Sequence, residues 1–272
     1  MKPRIHLVST GILYCALGIY ASHWSDGTAN TVQAKRLEIG IVHTPCLYGL
    51  TDRTEISSYV VWDAFAPNIS VKRMWGETHG FMYASSHGIS SPTPFLRMVS
   101  KEKTGGLLPP DNYIPWYVVF DSYALLTRAI VNQHLLTIKC GIRLPVAIND
   151  KSDEHPVYQR MQTIDYPFFF PRTSFLTKSP AISPEAAIKF TGPLLSVFSY
   201  SVECMYFLLP LRDNLQEKDF LCWALEPSAL LYWRPSNRFS CHLGAIASFG
   251  TYPFGNNWIV YPLIDIAIGF GK

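Results

Sequence analysis

Charge is what this chain has least of. Only 16% of its 272 residues are Asp, Glu, Lys or Arg, against roughly 25% in an ordinary soluble domain. The net charge is +3 and no Lys/Arg run exceeds a pair such as Lys72-Arg73, so nucleic acid is not the partner such a surface predicts. Beyond the N-terminus there is no apolar stretch of about 18 uncharged residues, which removes a bundle of membrane helices. No Cys-x-x-Cys and no Cys/His ligand spacing occurs, so neither a metal nor another cofactor is expected. Of the six cysteines, five follow Cys15; an odd set argues against a disulfide scaffold and reads as small apolar filler. No internal repeat of fixed period and no low-complexity linker appears, so one domain is the economical reading. Aromatics, by contrast, are plentiful. The 16 Phe, 15 Tyr and 7 Trp supply enough apolar surface to exclude disorder.

The N-terminus reads as an export signal over residues 1–22. Lys2 and Arg4 form a basic start, Ile5 to Ala21 is mostly apolar, and Ser22-His23-Trp24-Ser25 breaks the run. A single anchoring helix is the alternative, since no clean small-x-small pattern precedes Ala21 or Ser22, and Cys15 lacks a lipobox. Residues 23–35 then form an N-terminal periplasmic segment, and 36–270 the main domain.

Period-two alternation dominates downstream of residue 130. Leu136, Ile138, Cys140, Ile142, Leu144, Val146 and Ile148 alternate with a row containing Thr137, Lys139, Gly141 and Arg143. Strict alternation puts one row on each face of a strand, whereas a helix would scatter it around its axis. Phe198 to Leu208 repeats the pattern on even positions, against Ser199, Ser201 and Glu203. Leu221 to Trp233 does so on odd positions, against Glu226, Ser228 and Arg234. Phe239 to Phe249 runs against Ser240, His242, Gly244 and Ser248, and Trp258 to Phe270 against Asp265 and Gly269.

A soluble sandwich or lipocalin-like barrel would also alternate. Three features favour a transmembrane barrel instead. The apolar rows run longer than the roughly five or six residues of a typical soluble strand. The opposite rows are rich in Gly, Ser and Thr with few charges, as a lumen would be. Trp223 and Trp233 share one row, and at about 3.4 Å per residue and roughly 40° tilt they stand about 26 Å apart along the axis, the height of an outer-membrane apolar band. Short turn signals at Thr51-Asp52-Arg53, Gly192-Pro193 and Arg234-Pro235-Ser236-Asn237 alternate with long stretches at 91–112, 149–183 and 210–219, as tight periplasmic turns and larger external loops would. The expected fold is an all-β, transmembrane, antiparallel up-and-down barrel in a bacterial outer membrane.

Several phrases then carry a resemblance. Tyr48-Gly49-Leu50-Thr51-Asp52-Arg53-Thr54-Glu55-Ile56 resembles a strand–turn–strand of bacterial outer-membrane β-barrels. Pro67 to Lys72, Ser91 to Leu96, Thr104 to Asp111 and Tyr252 to Gly255 look like pieces of one uncharacterised barrel family. The resemblance covers most of 36–270 and implies fold, location, contact with outer-membrane lipid and insertion by the barrel-assembly machinery; it implies no activity. Ile266, Ile268 and Phe270 resemble an assembly signal, although Gly271-Lys272 follows the aromatic.

The pattern gives strands at 36–49, 54–66, 69–75, 79–89, 114–130, 134–148, 184–192, 196–209, 219–234, 238–251 and 257–270. Bacterial single-chain barrels are even-numbered. Twelve are therefore expected, with one strand before residue 36 hidden in a segment too polar to show it, or ten if 69–89 is one bent strand.

The inward rows carry Lys139, Arg143, Glu203, Glu226, His242 and Asp265. As pore lining they would set the charge selectivity of a channel or transporter for small solutes. As filler they would pair across the lumen of a plugged structural or surface-interaction barrel, with Glu226 and His242 as one candidate pair. A lipid-modifying enzyme of the outer leaflet is a third class, needing a Ser nucleophile and a His base. Ser240 with His242, and Ser85, Ser86 and His87, are the nearest approaches, but there is no Gly-x-Ser-x-Gly elbow and they read as lumen hydrogen-bonding groups. Segment 91–112 reads as an external loop or one folded into the lumen. Segment 149–183, with its charged tip and Tyr166-Pro167-Phe168-Phe169-Phe170-Pro171, reads as a strand extension beyond the membrane.

Overall fold

A computed structural model describes residues 24–100, 114–131, 133–148, 182–213, 218–251 and 256–271. The expected signal at 1–22, residues 149–181 with their aromatic run, and residues 101–112 lie outside the described residues.

Alternation folds as it must when one row is apolar and the other is not: the chain closes on itself. Twelve antiparallel strands form a barrel, each paired with its sequence neighbours, and the first with the last. They are β1 Leu37–Gly40, β2 Cys46–Thr51, β3 Thr54–Ser58, β4 Asn68–Thr78, β5 Phe81–Ser90, β6 Trp116–Ala129, β7 Leu135–Ile148, β8 Ser183–Leu195, β9 Phe198–Asp213, β10 Lys218–Ser236, β11 Phe239–Gly250 and β12 Ile259–Phe270. Leu37 opposite Phe270 and Ile39 opposite Ile268 seal the seam. Closure leaves no sheet edge, which a bilayer without water demands. Two short helices lie in connections: α1 Val60–Asp63 and α2 Thr93–Val99.

The apolar rows face out. On β12, Ile264 is 66% exposed while its neighbour Leu263 is 8% exposed; the same alternation marks Ile138, Ile188, Val202 and Leu231 as outward. A surface of this composition is built for hydrocarbon, and with an even, closed wall it is that of a bacterial outer-membrane barrel. The short connections at 52–53, 79–80, 196–197 and 237–238 gather at one end, with the start of β1 and the end of β12. By the usual orientation this end is periplasmic.

The count of twelve holds, but the twelfth strand is not ahead of residue 36. It comes from the region expected to be one strand at 36–49, which is two, β1 and β2. A Cβ on Gly40 would meet the Thr44 carbonyl oxygen at 2.0 Å, so the chain reverses there too tightly for a side chain. The turn is held from afar: Asp265 Oδ1 accepts the Val42 N–H at 3.0 Å, and its Oδ2 accepts those of His43 and Thr44, both at 2.7 Å. The bent-strand alternative for 69–89 fails, because His79 and Gly80 take positive φ, 53° and 75°, and turn β4 into β5 as a two-residue hairpin. The strand expected over 54–66 stops at Ser58 and gives way to α1, whose Val60 and Val61, with Phe65 beyond, are exposed.

Candidate functional site

Of residues 23–35, expected as a separate periplasmic segment, the described residues 24–35 are packed with Arg36 into the periplasmic mouth of the barrel. Asp26 is ion-paired with Arg234 of β10. Two residues on, the Thr28 carbonyl accepts from Lys72 Nζ of β4 at 3.1 Å, and β4 and β10 lie on opposite sides of the twelve-stranded ring. The segment is thus a bar across the lumen. The Ala29 N–H donates to Thr127 Oγ1 of β6 at 2.8 Å, and the Val32 N–H to Glu55 Oε2 of β3 at 2.7 Å. Arg36 is fully buried, pairs with Glu38 at 2.8 Å and donates to the Asn237 carbonyl at 2.5 Å. Trp24 lies 5.2 Å from the Arg36 guanidinium and 5.4 Å from that of Arg234, so an indole bridges two cations over its π faces. The segment looked polar because its polar groups satisfy the inside of a barrel; they do not face bulk water.

Beyond the bar lies a cavity of about 550 Å³, floored by Trp24, Ser25, Asp26 and Gly27. Its walls carry matched charges. Lys72 meets Glu55 at 2.8 Å, across the β3–β4 register. Lys189 meets Glu203 at 3.2 Å, also directly opposite. Arg143 lies 3.4 Å from Glu185 and donates to the Tyr123 hydroxyl at 2.9 Å, which donates to Glu185 at 2.7 Å. Lys139 Nζ stands 3.8 Å from the Tyr123 ring centre. Charges paired and hydrogen-bonded in this way hold the wall in one arrangement.

Of the six residues singled out from the sequence, Lys139, Arg143, Glu203 and His242 border this cavity. Glu226 points inward and is buried, but it accepts from Ser248 Oγ at 3.3 Å within the wall. Asp265 points inward and is occupied by the backbone amides of the 41–45 turn. The candidate pair Glu226–His242 does not form: the register carries Glu226 to the level of Ser248, while His242 stands opposite Tyr232 and Asp265. Sequence reasoning placed Arg234 on the inward row without singling it out, and passed over Asp26, Arg36, Glu38, Glu55, Lys72, Glu185 and Lys189 as lumen groups. Carrying the odd-position parity through 183–191 would have found Glu185 and Lys189; nothing local marks Asp26.

At the external end, α2 folds inward. Leu96 and Val99 are buried against the inward-facing Tyr117 and Val119 of β6, and Thr93 Oγ1 accepts the Tyr117 N–H at 2.7 Å. Of the two readings of segment 91–112, its described part takes the lumen-facing one. Ser240 accepts from Arg234 Nε at 3.2 Å inside the barrel, as a lumen serine should. Ser85 and His87 do not: they project from the outer face of β5, which corrects the expectation of lumen hydrogen bonding. Among the described residues no three His, Cys, Asp or Glu side chains gather as a metal site.

No family model matches the chain, and no curated protein does. Two solved structures share the overall trace loosely. The outer-membrane expressed OmpT of Vibrio cholerae is 9% identical, with 93% of this chain and 67% of that chain covered and a TM-score of 0.36. LpxR from Salmonella typhimurium is 12% identical, with 86% and 87% covered and a TM-score of 0.36. Neither overlap is close enough to bear on activity.

Proposed function

We propose that this is a non-conducting outer-membrane barrel, its lumen serving as a rigid, ion-paired framework and not as a solute path. The bar from Asp26 to Thr28 carries this reading, since it ties Arg234 to Lys72 across the ring at the periplasmic mouth. The channel reading needs a continuous water path lined by free charges; here Lys72, Arg143, Lys189 and Arg234 each lie against a carboxylate.

Planar-bilayer recording on the folded protein tests it. The wild type is expected to give no discrete conductance steps. Deleting residues 24–35 is expected to produce steps, and Asp26→Ala brief flickering openings. Stable steps from the intact wild type would sink the proposal, as would silence from a folded deletion variant.

A further inference from the structure

A lipid-facing wall is expected to be apolar throughout, and most of this one is. On β7 to β12 the outward residues within 136–148, 184–194, 198–208, 221–233, 239–249 and 260–270 include no Asp, Glu, Lys, Arg, His or Ser. Arg128 and Thr78 lie on the outward rows of β6 and β4 beside the periplasmic turns; further along the wall four polar side chains of β4, β5 and β6 stand together. Arg73 of β4 is directly opposite Ser85 of β5, and His87 of β5 is directly opposite Ser122 of β6. His87 Nε2 lies 3.1 Å from Ser85 Oγ, and Nδ1 lies 3.0 Å from Ser122 Oγ. Trp75 Nε1–H donates to Ser85 Oγ at 2.9 Å, and the Arg73 guanidinium lies 4.7 Å from the Trp75 ring centre. Polar groups of this kind in a bilayer wall are costly, and where they persist they mark a working site.

The geometry points to an acyl-ester hydrolase site on the outer wall, with Ser85 as nucleophile, His87 as base, Ser122 as the group that positions His87, and a membrane lipid as substrate. One tautomer satisfies both contacts: Nδ1–H donates to Ser122 Oγ, leaving Nε2 free to accept the Ser85 proton. Ser85 Oγ attacks the ester carbonyl carbon while its proton passes to His87 Nε2. The carbonyl becomes an oxyanion, for which the wall supplies two donors, Trp75 Nε1–H, at rest on Ser85 Oγ, and the Arg73 guanidinium over the Trp75 ring. The oxyanion collapses, the C–O bond to the lipid alcohol breaks, and the alcohol leaves with the proton from His87. Water then attacks the acyl-Ser85, gives its proton to His87, and releases the fatty acid as Ser85 recovers its hydrogen. A guanidinium in the wall also draws headgroups and water inward and thins the bilayer locally, which brings both ester and water to the level of Ser85. The site lies on the outside of the barrel, so it is independent of whether the lumen conducts.

The test uses the full chain, folded into vesicles of phosphatidylethanolamine and phosphatidylglycerol, with fatty-acid release and fluorophosphonate labelling as readouts and gel mobility of the unheated protein as the check on folding. The wild type is expected to release fatty acid and to carry the label on Ser85. Ser85→Ala and His87→Ala are each expected to lower release at least about 100-fold. Ser122→Ala is expected to lower kcat about tenfold with KM held, and Ser122→Thr, which keeps a hydroxyl for Nδ1–H, to restore it. Ser248→Ala, a lumen variant, leaves the rate unchanged. A folded wild type that neither releases fatty acid nor takes the label overturns the assignment, as does release that survives Ser85→Ala.

Discussion

The outer faces of β7 and β5 solve the same problem differently. On β7 every outward residue from Leu136 to Ile148 is apolar, and each can sit against acyl chains at no cost. On β5 the outward row runs Phe81, Tyr83, Ser85, His87, Ile89, apolar at both ends and polar in the middle, where lipid is least forgiving. The polar groups are not scattered, for each has found another at hydrogen-bond distance. An apolar wall records only the solvent around it. A polar interruption that supplies its own partners records a use.

Substitutions that exchange the two surfaces sharpen this contrast. The largest effect is expected from Ile264→Arg at mid-strand on β12, a loss of about 2–4 kcal/mol in folding into lipid vesicles, because a lone guanidinium meets hydrocarbon with no partner. Asp265→Ala, on the inner face of the same strand, is expected to cost about 2 kcal/mol, since three N–H groups of the 41–45 turn lose their acceptor; urea titration with tryptophan fluorescence reads both. Arg73→Leu is expected to go the other way, raising stability by about 1 kcal/mol while reducing lipolysis, as removal of a functional but costly group should. Equal losses from Arg73→Leu and Ile264→Arg would erase the distinction between the two walls. The smallest effect, under about 1 kcal/mol, is expected from Cys204→Ala on the lipid face, where the thiol acts as an exposed small side chain.

The wall was legible because its cause is local. Alternation from Leu135 to Ile148 fixes which side chains meet lipid whatever the partner strand, and β7 occupies that range. The β1–β2 reversal was not legible, because Gly40 to Pro45 carries no strong turn phrase and its amides are bound by Asp265, more than 200 positions away. The lumen pairs were half visible: parity gave the face of Lys139, Arg143 and Glu203, but pairing depends on register, and register placed Glu203 opposite Lys189 and not Lys139. The outer site was named in its parts, Ser85 and His87, yet assigned to the wrong face. Ser85 and His87 share parity with Phe81 and Ile89, which assigns them outward, but Ser122 joins them only through pairing of β5 with β6.

The bar inside the barrel has a consequence for how the molecule is made. Asp26 precedes every strand in the chain, while Arg234, its ion-pair partner, stands near the end of the tenth. The pair can therefore form only once the tenth strand has arrived, a waiting step that ends with the first segment held in the wall as a rod in a sleeve. Swapping Asp26 for Arg and Arg234 for Asp would keep the pair but reverse its polarity, and the yield of closed barrels would report whether that waiting step is guided by charge.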